Sequence, residues 1–320
     1  MKMISAKTIS AWKILFCALG CFLIFSYLQV KREPLLSSYE GKSVQEILQM
    51  MPKRDRQRLE HFFLKAVNWD ALGYVLFGDK PMAYLEGIDK KLNPFRSFGS
   101  FLYAISPRRI QAENGFKTWK KYAHLFPMDR FVFLYEENEN DLNALFINKE
   151  SFIDKVKECE EDFKKILQRE VTGEQLLAEA SSFSLLAEVL QNHDVLLGIL
   201  FGFGRDNAYA FYQRASISSS EQKREFQRKF HFKDPWENEF KDLNEKLDRV
   251  SWISGYLTGA HLKNLDLMMY PGFYALVDHP ETKQLKANFI RTRNEMIAYY
   301  KDKDFLEATL KALTSLKAKK

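Results

Sequence analysis

Cysteine is scarce in this chain of 320 residues, which contains only three. Cys17 and Cys21 lie in an apolar N-terminal stretch, and Cys159 stands alone in the rest of the sequence. A single cysteine cannot form an internal disulfide, and no group of cysteines and histidines has the spacing of a zinc site. The globular part must therefore rely on its core, for which a chain that is 46% hydrophobic has enough apolar residues.

The sequence also lacks a strong charge imbalance outside its N-terminus. The formal net charge is +6, from 48 basic and 42 acidic residues. Residues 1–32 contain five basic residues and no acidic one, so the rest of the chain holds 43 basic and 42 acidic residues, a net of +1. A nucleic-acid-binding domain needs a basic face, and this balance removes the main reason to expect one. We therefore predict no nucleic-acid partner.

Catalytic and metal-binding motifs are missing as well. No Gly-x-Ser-x-Gly turn occurs, and the histidines form no His-x-x-x-His pair. No acidic run has the central glycine and alternating oxygen ligands of a calcium loop, so Glu136–Glu137 and Glu158–Asp162 are most simply solvated. The sequence predicts no metal and no cofactor, and it leaves open whether the chain is an enzyme.

An apolar segment, Ile14–Val30, follows a basic tail at residues 1–13. The segment has 17 residues and no charge, which meets the minimum of roughly 17 residues for a helix that spans a bilayer. We predict a transmembrane signal anchor that holds the chain in the lipid bilayer. Two alternatives stay open: a cleaved signal peptide, and a lipid-modified Cys21, because Ala18–Cys21 resembles a bacterial lipobox.

The charges around this segment bear on its orientation. Lys2, Lys7 and Lys13 precede it, which favours a cytoplasmic N-terminus and a globular domain on the non-cytoplasmic side. Lys31 and Arg32 follow it directly and weaken that prediction. The expected localisation is a single-pass membrane protein.

The rest of the chain divides into a linker, residues 31–42, and a globular domain, residues 43–320, with a possible weak break at Ser216–Ser220. Helical periodicity dominates the domain. The predicted fold class is α+β, predominantly helical, with a small antiparallel sheet packed against helices. The sheet is expected from two predicted strand pairs: Tyr74–Phe77 with Met82–Leu85, and Phe131–Tyr135 with Leu142–Ile147.

Helices are expected on either side of these strands. Ser43 and Glu46 have the spacing of a capping box, which predicts the start of a short helix. Phe152, Val156, Cys159, Phe163 and Leu167 recur every three or four residues, so we expect Cys159 to face the core. Leu267–Val277 breaks the helical period and is predicted as a strand or a buried loop. The other predicted helices are Lys53–Val67, Pro107–Leu125, Gly173–Leu190 (one or two), Trp236–Leu262, Thr282–Tyr300 and Phe305–Leu316.

The stretch His193–Arg205, HDVLLGILFGFGR, is the most unusual, because three glycines interrupt an apolar run. One interpretation is a ligand site, with an anion near Gly202 and Gly204 and Arg205 as its counter-charge. The other is close helix packing followed by a glycine helix end, after which Asp206 and Asn207 start the next helix. His193 beside Asp194 suggests a catalytic dyad, but neighbouring residues on a helix point apart, so a cap formed by Asn192 or Asp194 is the simpler expectation.

A second candidate site begins at Ser106-Pro107-Arg108-Arg109, which starts a predicted helix. Basic residues in the first turn oppose the helix dipole. Arg108 and Arg109 are therefore candidate ligands for a phosphate or carboxylate, although solvation or an ion pair is the more common role. The candidate ligand-binding residues are thus Arg205, Gly202, Gly204, His193, Arg108 and Arg109.

Five phrases of the chain belong together: Trp69–Met82, Ser106–Arg109, Phe131–Asn138, Asn192–Asp194 and Gly202–Ala208. They resemble a protein family of chlamydia-type intracellular bacteria that has no assigned activity. The likeness covers roughly residues 45–215 and implies a bacterial envelope setting, but no catalytic residues.

Two functions follow from these observations. The first is a membrane-anchored binding or envelope-interaction protein with a possible protein partner. The second is a membrane-anchored enzyme of unknown reaction, with a site near Gly202–Arg205. A deep pocket that holds several of His193, Arg205, Arg108 and Tyr74 would favour the enzyme, whereas a broad exposed aromatic patch would favour binding.

Overall fold

A computed structural model describes residue 39 and residues 41–90, 107–137, 141–237, 239, 265 and 268–315. Side chains are described for these residues except 86–90, 107–112, 137, 141 and 142. The predicted anchor at residues 14–30 and the predicted helix after Trp236 lie outside this part, apart from Glu237 and Glu239. Within it, no helix combines the length and apolarity needed to cross a membrane.

The chain forms two compact units, Met1–Pro52 and Lys53–Lys320. The first contains helix α1 (Val44–Met50). The predicted capping box is confirmed: the Ser43 N–H donates to Glu46 Oε2 at 2.8 Å, and the Glu46 N–H donates to Ser43 Oγ at 3.3 Å. The two side chains thus satisfy N–H groups that the helix itself leaves without a partner.

The second unit is built around a three-stranded antiparallel sheet with the order β1-β3-β2. The strands are β1 (Met82–Lys90), β2 (Phe131–Glu137) and β3 (Asp141–Asn148). The predicted pairing of residues 131–135 with 142–147 is confirmed, and it places Phe133 opposite Phe146. β1 pairs with the other edge of β3, so the central strand is covered on both sides, and its residues 144–147 are fully buried.

The two faces of the sheet pack against different helices, because successive side chains on a strand point to opposite faces. On one face, Phe131, Phe133 and Phe146 pack together and meet Trp119. Trp119 belongs to α4 (Pro107–Tyr122), which lies against α2 (Lys53–Asn68). A short 3-10 turn, Ala123–Leu125, extends α4.

The other face, with Leu145 and Ile147, joins a core made by the helices that follow the sheet. These are α5 (Lys149–Glu158), α6 (Glu160–Leu167), α7 (Gly173–Glu179), a π-helical turn at Leu185–Val189 and α8 (Asp194–Leu200). The helical stripe predicted from Phe152 to Leu167 is confirmed as buried. Cys159 lies within it, at the junction of α5 and α6. Burial raises the pKa of the Cys159 thiol to about 11, so this residue behaves as a small apolar side chain.

One predicted strand is wrong. Tyr74–Phe77 belongs to helix α3 (Leu72–Phe77), and β1 pairs with β3 instead. A run of four apolar residues fits a strand or a buried helix equally well. Packing decides here: Gly73 lies so close to the Met296 side chain that a Cβ would collide with it, and the Tyr74 ring meets Phe289 edge-on at 5.4 Å.

The C-terminal part supplies the remaining elements. They are α9 (Arg205–Ser216), α10 (Ser220–Lys229), β4 (Phe232–Lys233), β5 (Ala275–Leu276), α11 (Pro280–Tyr300) and α12 (Phe305–Thr314). The predicted break at Ser216–Ser220 is the short connection between α9 and α10. Met268–Tyr274 has no regular structure and leads into β5, which pairs with β4, in keeping with the buried loop or strand expected there.

Candidate functional site

The glycine-containing stretch forms a tight connection between α8 and α9. α8 ends at Leu200, Gly202 and Gly204 have φ angles of 71° and 91°, and α9 begins at Arg205. These angles favour glycine, since other residues rarely adopt them. Gly198 lies against Ala208, where a Cβ would come within 2.7 Å of the alanine Cβ. Helix packing followed by a glycine helix end therefore accounts for all three glycines.

The anion expected near these glycines is supplied by the chain itself. Glu281, in the first turn of α11, places its carboxylate on the N-terminus of α9. Oε1 accepts the Arg205 N–H at 2.7 Å, and Oε2 accepts the N–H groups of Asp206 at 3.1 Å and Asn207 at 3.4 Å. A Cβ at position 204 would lie 2.5 Å from this carboxylate. Gly204 thus makes room for Glu281, which serves as the cap that α9 lacks in its own sequence.

The Asn207 side chain links the glycine turn to neighbouring elements by hydrogen bonds. Its side chain is buried, donates from Nδ2 to the Phe203 carbonyl at 2.9 Å, and accepts at Oδ1 from the Leu276 N–H at 2.9 Å. The Thr282 hydroxyl donates to the same oxygen at 3.1 Å. The amide therefore ties α9 to β5 and α11 and holds the glycine turn in one conformation.

Arg205 pairs with an acidic residue of α6. Its Nε and one terminal nitrogen donate to the two carboxylate oxygens of Asp162 at 2.5 and 2.9 Å, and the Tyr209 hydroxyl donates to Asp162 at 2.7 Å. The Asp162 side chain is 7% exposed, while that of Arg205 is 52% exposed. Burial alone would raise the pKa of Asp162, but the hydrogen bonds from Arg205 and Tyr209 hold it below its usual value. Arg205 is thus engaged on one side and open to solvent on the other.

Two acidic residues expected to be solvated are not. Asp162 is buried as described, and Glu136 is buried at the end of β2. The Glu136 carboxylate accepts the Leu185 N–H at 2.8 Å and the Leu186 N–H at 3.3 Å, so it caps the π-helical turn. In the run Glu158–Asp162, the buried Asp162 serves a neighbouring element while Glu158, Glu160 and Glu161 are exposed, and spacing alone does not separate the two kinds of residue.

His193 does not form a dyad with Asp194. Its Nδ1 accepts the Val195 N–H at 3.3 Å, so His193 itself caps α8, in place of the Asn192 or Asp194 cap that we expected. Asn192 has a φ angle of 51°, which excludes it from the cap position. The His193 ring stacks on Tyr212 at 5.1 Å. Arg108 and Arg109 lie in the first turn of α4, and their side chains are outside the described part.

A cavity of about 420 Å³ opens beside the glycine turn. Its walls include Gly202, Gly204 and Arg205, together with Tyr74 of α3 and Cys159. Two of the four residues whose convergence would favour an enzyme, Arg205 and Tyr74, therefore line one cavity, while His193 does not. The Tyr74 hydroxyl donates to the Met269 carbonyl at 3.1 Å.

Lys80, which the sequence did not single out, also lines this cavity. Its ammonium donates to the Phe201 carbonyl at the C-terminal end of α8 and lies over the Phe203 ring at 4.8 Å. No described acidic side chain pairs with it. Burial lowers the pKa of Lys80 to about 7. The negative end of the helix and the ring face stabilise the charged form in part. The sequence Gly78-Asp79-Lys80-Pro81 is typical of an exposed turn, so the sequence alone does not predict that Lys80 is buried.

Three potential metal ligands lie close together among the described residues: Asp206, His279 and Glu281, with one ligand atom of each within 4.8 Å of the others. His279 Nε2 is 3.6 Å from Asp206 Oδ2. However, both Glu281 oxygens already accept N–H groups, and the positive end of α9 faces the same point, which is unfavourable for a cation. The group is best explained as a helix cap with a neighbouring histidine.

A separate surface carries aromatic side chains around α10. The aromatic surface, as we call it, consists of Phe226, Phe230 and Tyr274 with the buried Phe232 beneath them. Phe226 contacts Phe230 at 4.7 Å and Phe232 at 5.9 Å, and Phe232 stacks on Tyr274 at 5.9 Å. Phe230 and Tyr274 are 45% and 46% exposed. An open groove of about 1010 Å³ runs from Phe226 and Phe230 to Arg205 and to Lys164 and Lys165 of α6.

Comparison with known proteins adds no relative: no family model, no curated protein and no solved structure matches the chain.

Proposed function

We propose that the chain is a membrane-anchored interaction protein of a bacterial envelope, held by residues 14–30 as an uncleaved anchor. Its globular part would bind a partner through the aromatic surface. The observation that carries this proposal is the exposure of Phe230 and Tyr274, with Phe230 at the edge of an open groove. Contiguous exposed apolar side chains on a folded domain commonly mark a binding surface.

The helix that carries this surface supports the proposal. α10 has ten residues, and none of them is buried. A helix of that length is marginal in water without packing, and in the described part of the chain the Phe226 ring packs against the buried Phe232. A partner that covers Phe230 would stabilise α10 by removing apolar area from water.

The glycine turn supports a structural role more than a ligand site. The Glu281 carboxylate lies where an anionic ligand would bind beside Gly204, and the Arg205 guanidinium already pairs with Asp162. A ligand at either point would have to displace a charged group of the chain itself. Binding at the aromatic surface needs no such displacement, since Phe230 and Tyr274 face solvent.

An enzyme with a site at the glycine turn is the second candidate, and Lys80 favours it. An amine whose pKa is near 7 is about half unprotonated at neutral pH, and such lysines act as bases or nucleophiles. The cavity that Lys80 lines would hold the substrate. Reaction with an aldehyde probe followed by borohydride would trap a Schiff base at Lys80 in that case. The interaction function predicts no modification at this position.

The interaction function is tested by placing a photo-crosslinking amino acid at position 230 in the full chain, in the membranes of the producing cell. We expect a cross-linked product from this position. Phe183 is the matched control, because it is an exposed phenylalanine, 56% accessible, in the connection between α7 and the π-helical turn. Equal cross-linking from positions 230 and 183, or none from 230, would contradict the proposal.

A further inference from the structure

The charge of the globular part is distributed unevenly although its sum is nearly zero. Residues 214–233 contain six basic and two acidic residues, a net of +4, whereas the other residues of 33–320 include 37 basic and 40 acidic ones, a net of −3. The basic excess therefore lies on α10 and the segments beside it, which also carry Phe226, Phe230 and Phe232 of the aromatic surface. The six basic residues are Arg214, Lys223, Arg224, Arg228, Lys229 and Lys233.

Three of the four cations on α10 are exposed. These are Arg224, Arg228 and Lys229, and none of the four α10 cations pairs with a described acidic side chain. Lys233, on β4, differs in this respect, since it pairs with Glu237 at 2.7 Å. The only acidic residues of α10 itself are Glu221 and Glu225.

Each exposed ring of the aromatic surface lies beside a cation. Lys229 is 5.3 Å from the centre of the Phe230 ring, and the Arg214 guanidinium is 5.5 Å from that of Tyr274. Rings that enter the headgroup region while cations meet phosphate are the binding mode of helices that lie on a membrane surface. Protein interfaces, in contrast, are enriched in arginine and depleted in lysine. The two α10 cations nearest to Phe230 around the helix, Lys223 and Lys229, are both lysines.

The predicted anchor would keep this surface near a bilayer. Residues 31–52 separate the apolar segment from α2, and 22 residues span at most about 75 Å when fully extended. A tether of that length converts weak docking into an intramolecular event with a high effective concentration. Weak attraction of α10 to lipid would then be enough to keep the helix docked on the membrane.

We propose that the aromatic surface and the cations of α10 dock on the anionic phospholipid headgroups of the membrane that holds the anchor. This inference rests on the proposed function, because it identifies the partner of the same surface. It makes Phe230 an interfacial side chain, and Lys223 and Lys229, the α10 cations nearest to Phe230 around the helix, the contacts to phosphate.

The test uses the full chain in vesicles, with Cys17, Cys21 and Cys159 replaced by alanine and a fluorophore attached at Phe230→Cys. One vesicle preparation contains phosphatidylcholine with 30% phosphatidylglycerol, in round numbers about one anionic lipid in three, and the other contains phosphatidylcholine alone. Brominated lipids in both report contact between the label and the bilayer. We expect strong quenching in the anionic vesicles, weak quenching in the neutral ones, and reversal by high salt, because salt screens the attraction. A label at Phe183→Cys should show no quenching in either.

Charge variants provide the second readout. Replacing Lys223 or Lys229 by Gln should lower the ratio of docked to free label about fivefold for each residue, since each cation contributes roughly 1 kcal/mol near an anionic surface. Glu225→Gln is the matched control, with the opposite expected sign. Quenching that is equal in both lipids and unaffected by salt would overturn charge-driven docking.

The two proposals fail differently. Absence of quenching in both vesicle types, together with a specific cross-link from position 230 to a protein or nucleic acid in cell membranes, would overturn lipid docking and leave the interaction function standing. Absence of both quenching and cross-linking would remove both. Circular dichroism of each variant checks that α10 and the rest of the fold are retained.

Discussion

At the residue scale, Glu281, Glu136 and Asp162 each place a carboxylate against donors that a neighbouring element presents. Glu281 and Glu136 cap helical N-termini that belong to other segments, and Asp162 binds Arg205 and Tyr209. A charge-assisted hydrogen bond is shorter and stronger than one between neutral groups, and a helix N-terminus adds the attraction of its dipole. These acids therefore position helices relative to one another.

Gly204→Ala should be strongly destabilising. The residue has a φ angle of 91° and a ψ angle of 152°, a region that is essentially restricted to glycine, and the new Cβ would lie 2.5 Å from the Glu281 carboxylate. We expect a loss of about 3 kcal/mol in the free energy of unfolding, measured by urea denaturation. Gly272→Ala is the control, because a Cβ there meets nothing within 4 Å. An equal effect of both substitutions would contradict the role of Gly204.

Lys80→Met should change how stability depends on pH. The unfolded chain holds the Lys80 proton up to a pKa near 10.5, whereas the folded chain releases it near 7. Between these values the unfolded state binds more protons, so the stability of the unsubstituted chain rises with pH by about 1.4 kcal/mol per pH unit from this group. Below pH 7 both states are protonated, and the full cost of burying the charge remains.

The comparison is made by urea denaturation at pH 6.5 and pH 9. The stability gain of Lys80→Met over the unsubstituted chain should be largest at pH 6.5 and smaller at pH 9. Lys157→Met, at an exposed position of α5, serves as the control for loss of a lysine. A gain that does not vary between the two pH values would show that burial does not perturb Lys80.

Arg205→Ala separates the structural role of Arg205 from a ligand role. Removing the guanidinium leaves the buried Asp162 carboxylate with Tyr209 as its remaining described partner, which should cost about 1–3 kcal/mol. Asp162→Asn combined with Arg205→Ala should recover part of that loss, because an amide is cheaper to bury than an unpaired charge. Unchanged thermal stability of Arg205→Ala would instead favour Arg205 as a residue kept for a ligand.

At the element scale, the close contact between α2 and α4 favours glycine at position 115, where helix propensity alone would favour alanine. Gly115 lies in the middle of α4, where glycine costs about 1 kcal/mol relative to alanine. A Cβ at this position would come within 2.8 Å of the Arg58 carbonyl and of Phe62 Cβ. Gly115→Ala should therefore raise the helicity of a synthetic peptide of residues 107–122 by circular dichroism, while lowering the stability of the whole protein. Stabilisation of both would show that the two helices can separate without cost.

The elements that the sequence predicts well are those with long, regular periods or explicit caps. The pair of β2 and β3, the helices α2, α4 and α11, and the capping box before α1 follow from patterns within a few residues of each other. α3 does not, because four apolar residues fit either state and the contact of Gly73 with Met296 lies 223 positions away in the sequence. Long-range packing of this kind has no local signature.

The candidate site divides in the same way. A glycine helix end could be predicted, and so could the next helix, which begins at Arg205 rather than at the expected Asp206 and Asn207, because backbone conformation is a local property. The partners of those residues could not: Glu281 is 76 positions from Arg205, and Asp162 is 43 positions from it. The burial of Lys80 was likewise invisible, since it depends on Phe201 and Phe203, more than a hundred positions further along the chain. One sequence shows residue types, but not which distant residues meet.

At the scale of the whole molecule, the charges around the N-terminal segment affect which membrane surface the cations of α10 can reach. The tail before the anchor has three lysines, and two basic residues follow the anchor directly. Basic residues are retained on the cytoplasmic side, so these two groups favour opposite orientations. The cations of α10 can dock only on the leaflet that the globular part faces. Orientation of the anchor therefore decides which lipid surface α10 can reach.

The anchor and its orientation can be separated by two measurements on one set of variants. The mass of the purified chain should correspond to a start at Met1; a start at Cys21 with added lipid, or a start after the apolar segment, would replace the anchor by a lipoprotein or a secreted form.

A reporter active only outside the cytoplasm, fused after Gly41, should be active in the unsubstituted chain. Replacing Lys31 and Arg32 by Gln should increase that activity, because the charges that oppose the orientation are gone. Replacing Lys2, Lys7 and Lys13 by Gln should reduce the reporter activity. Lys31 and Arg32 are then the basic residues that flank the segment, and they favour a globular part on the cytoplasmic side. Activity that is unaffected by either replacement would mean that charge does not orient this segment.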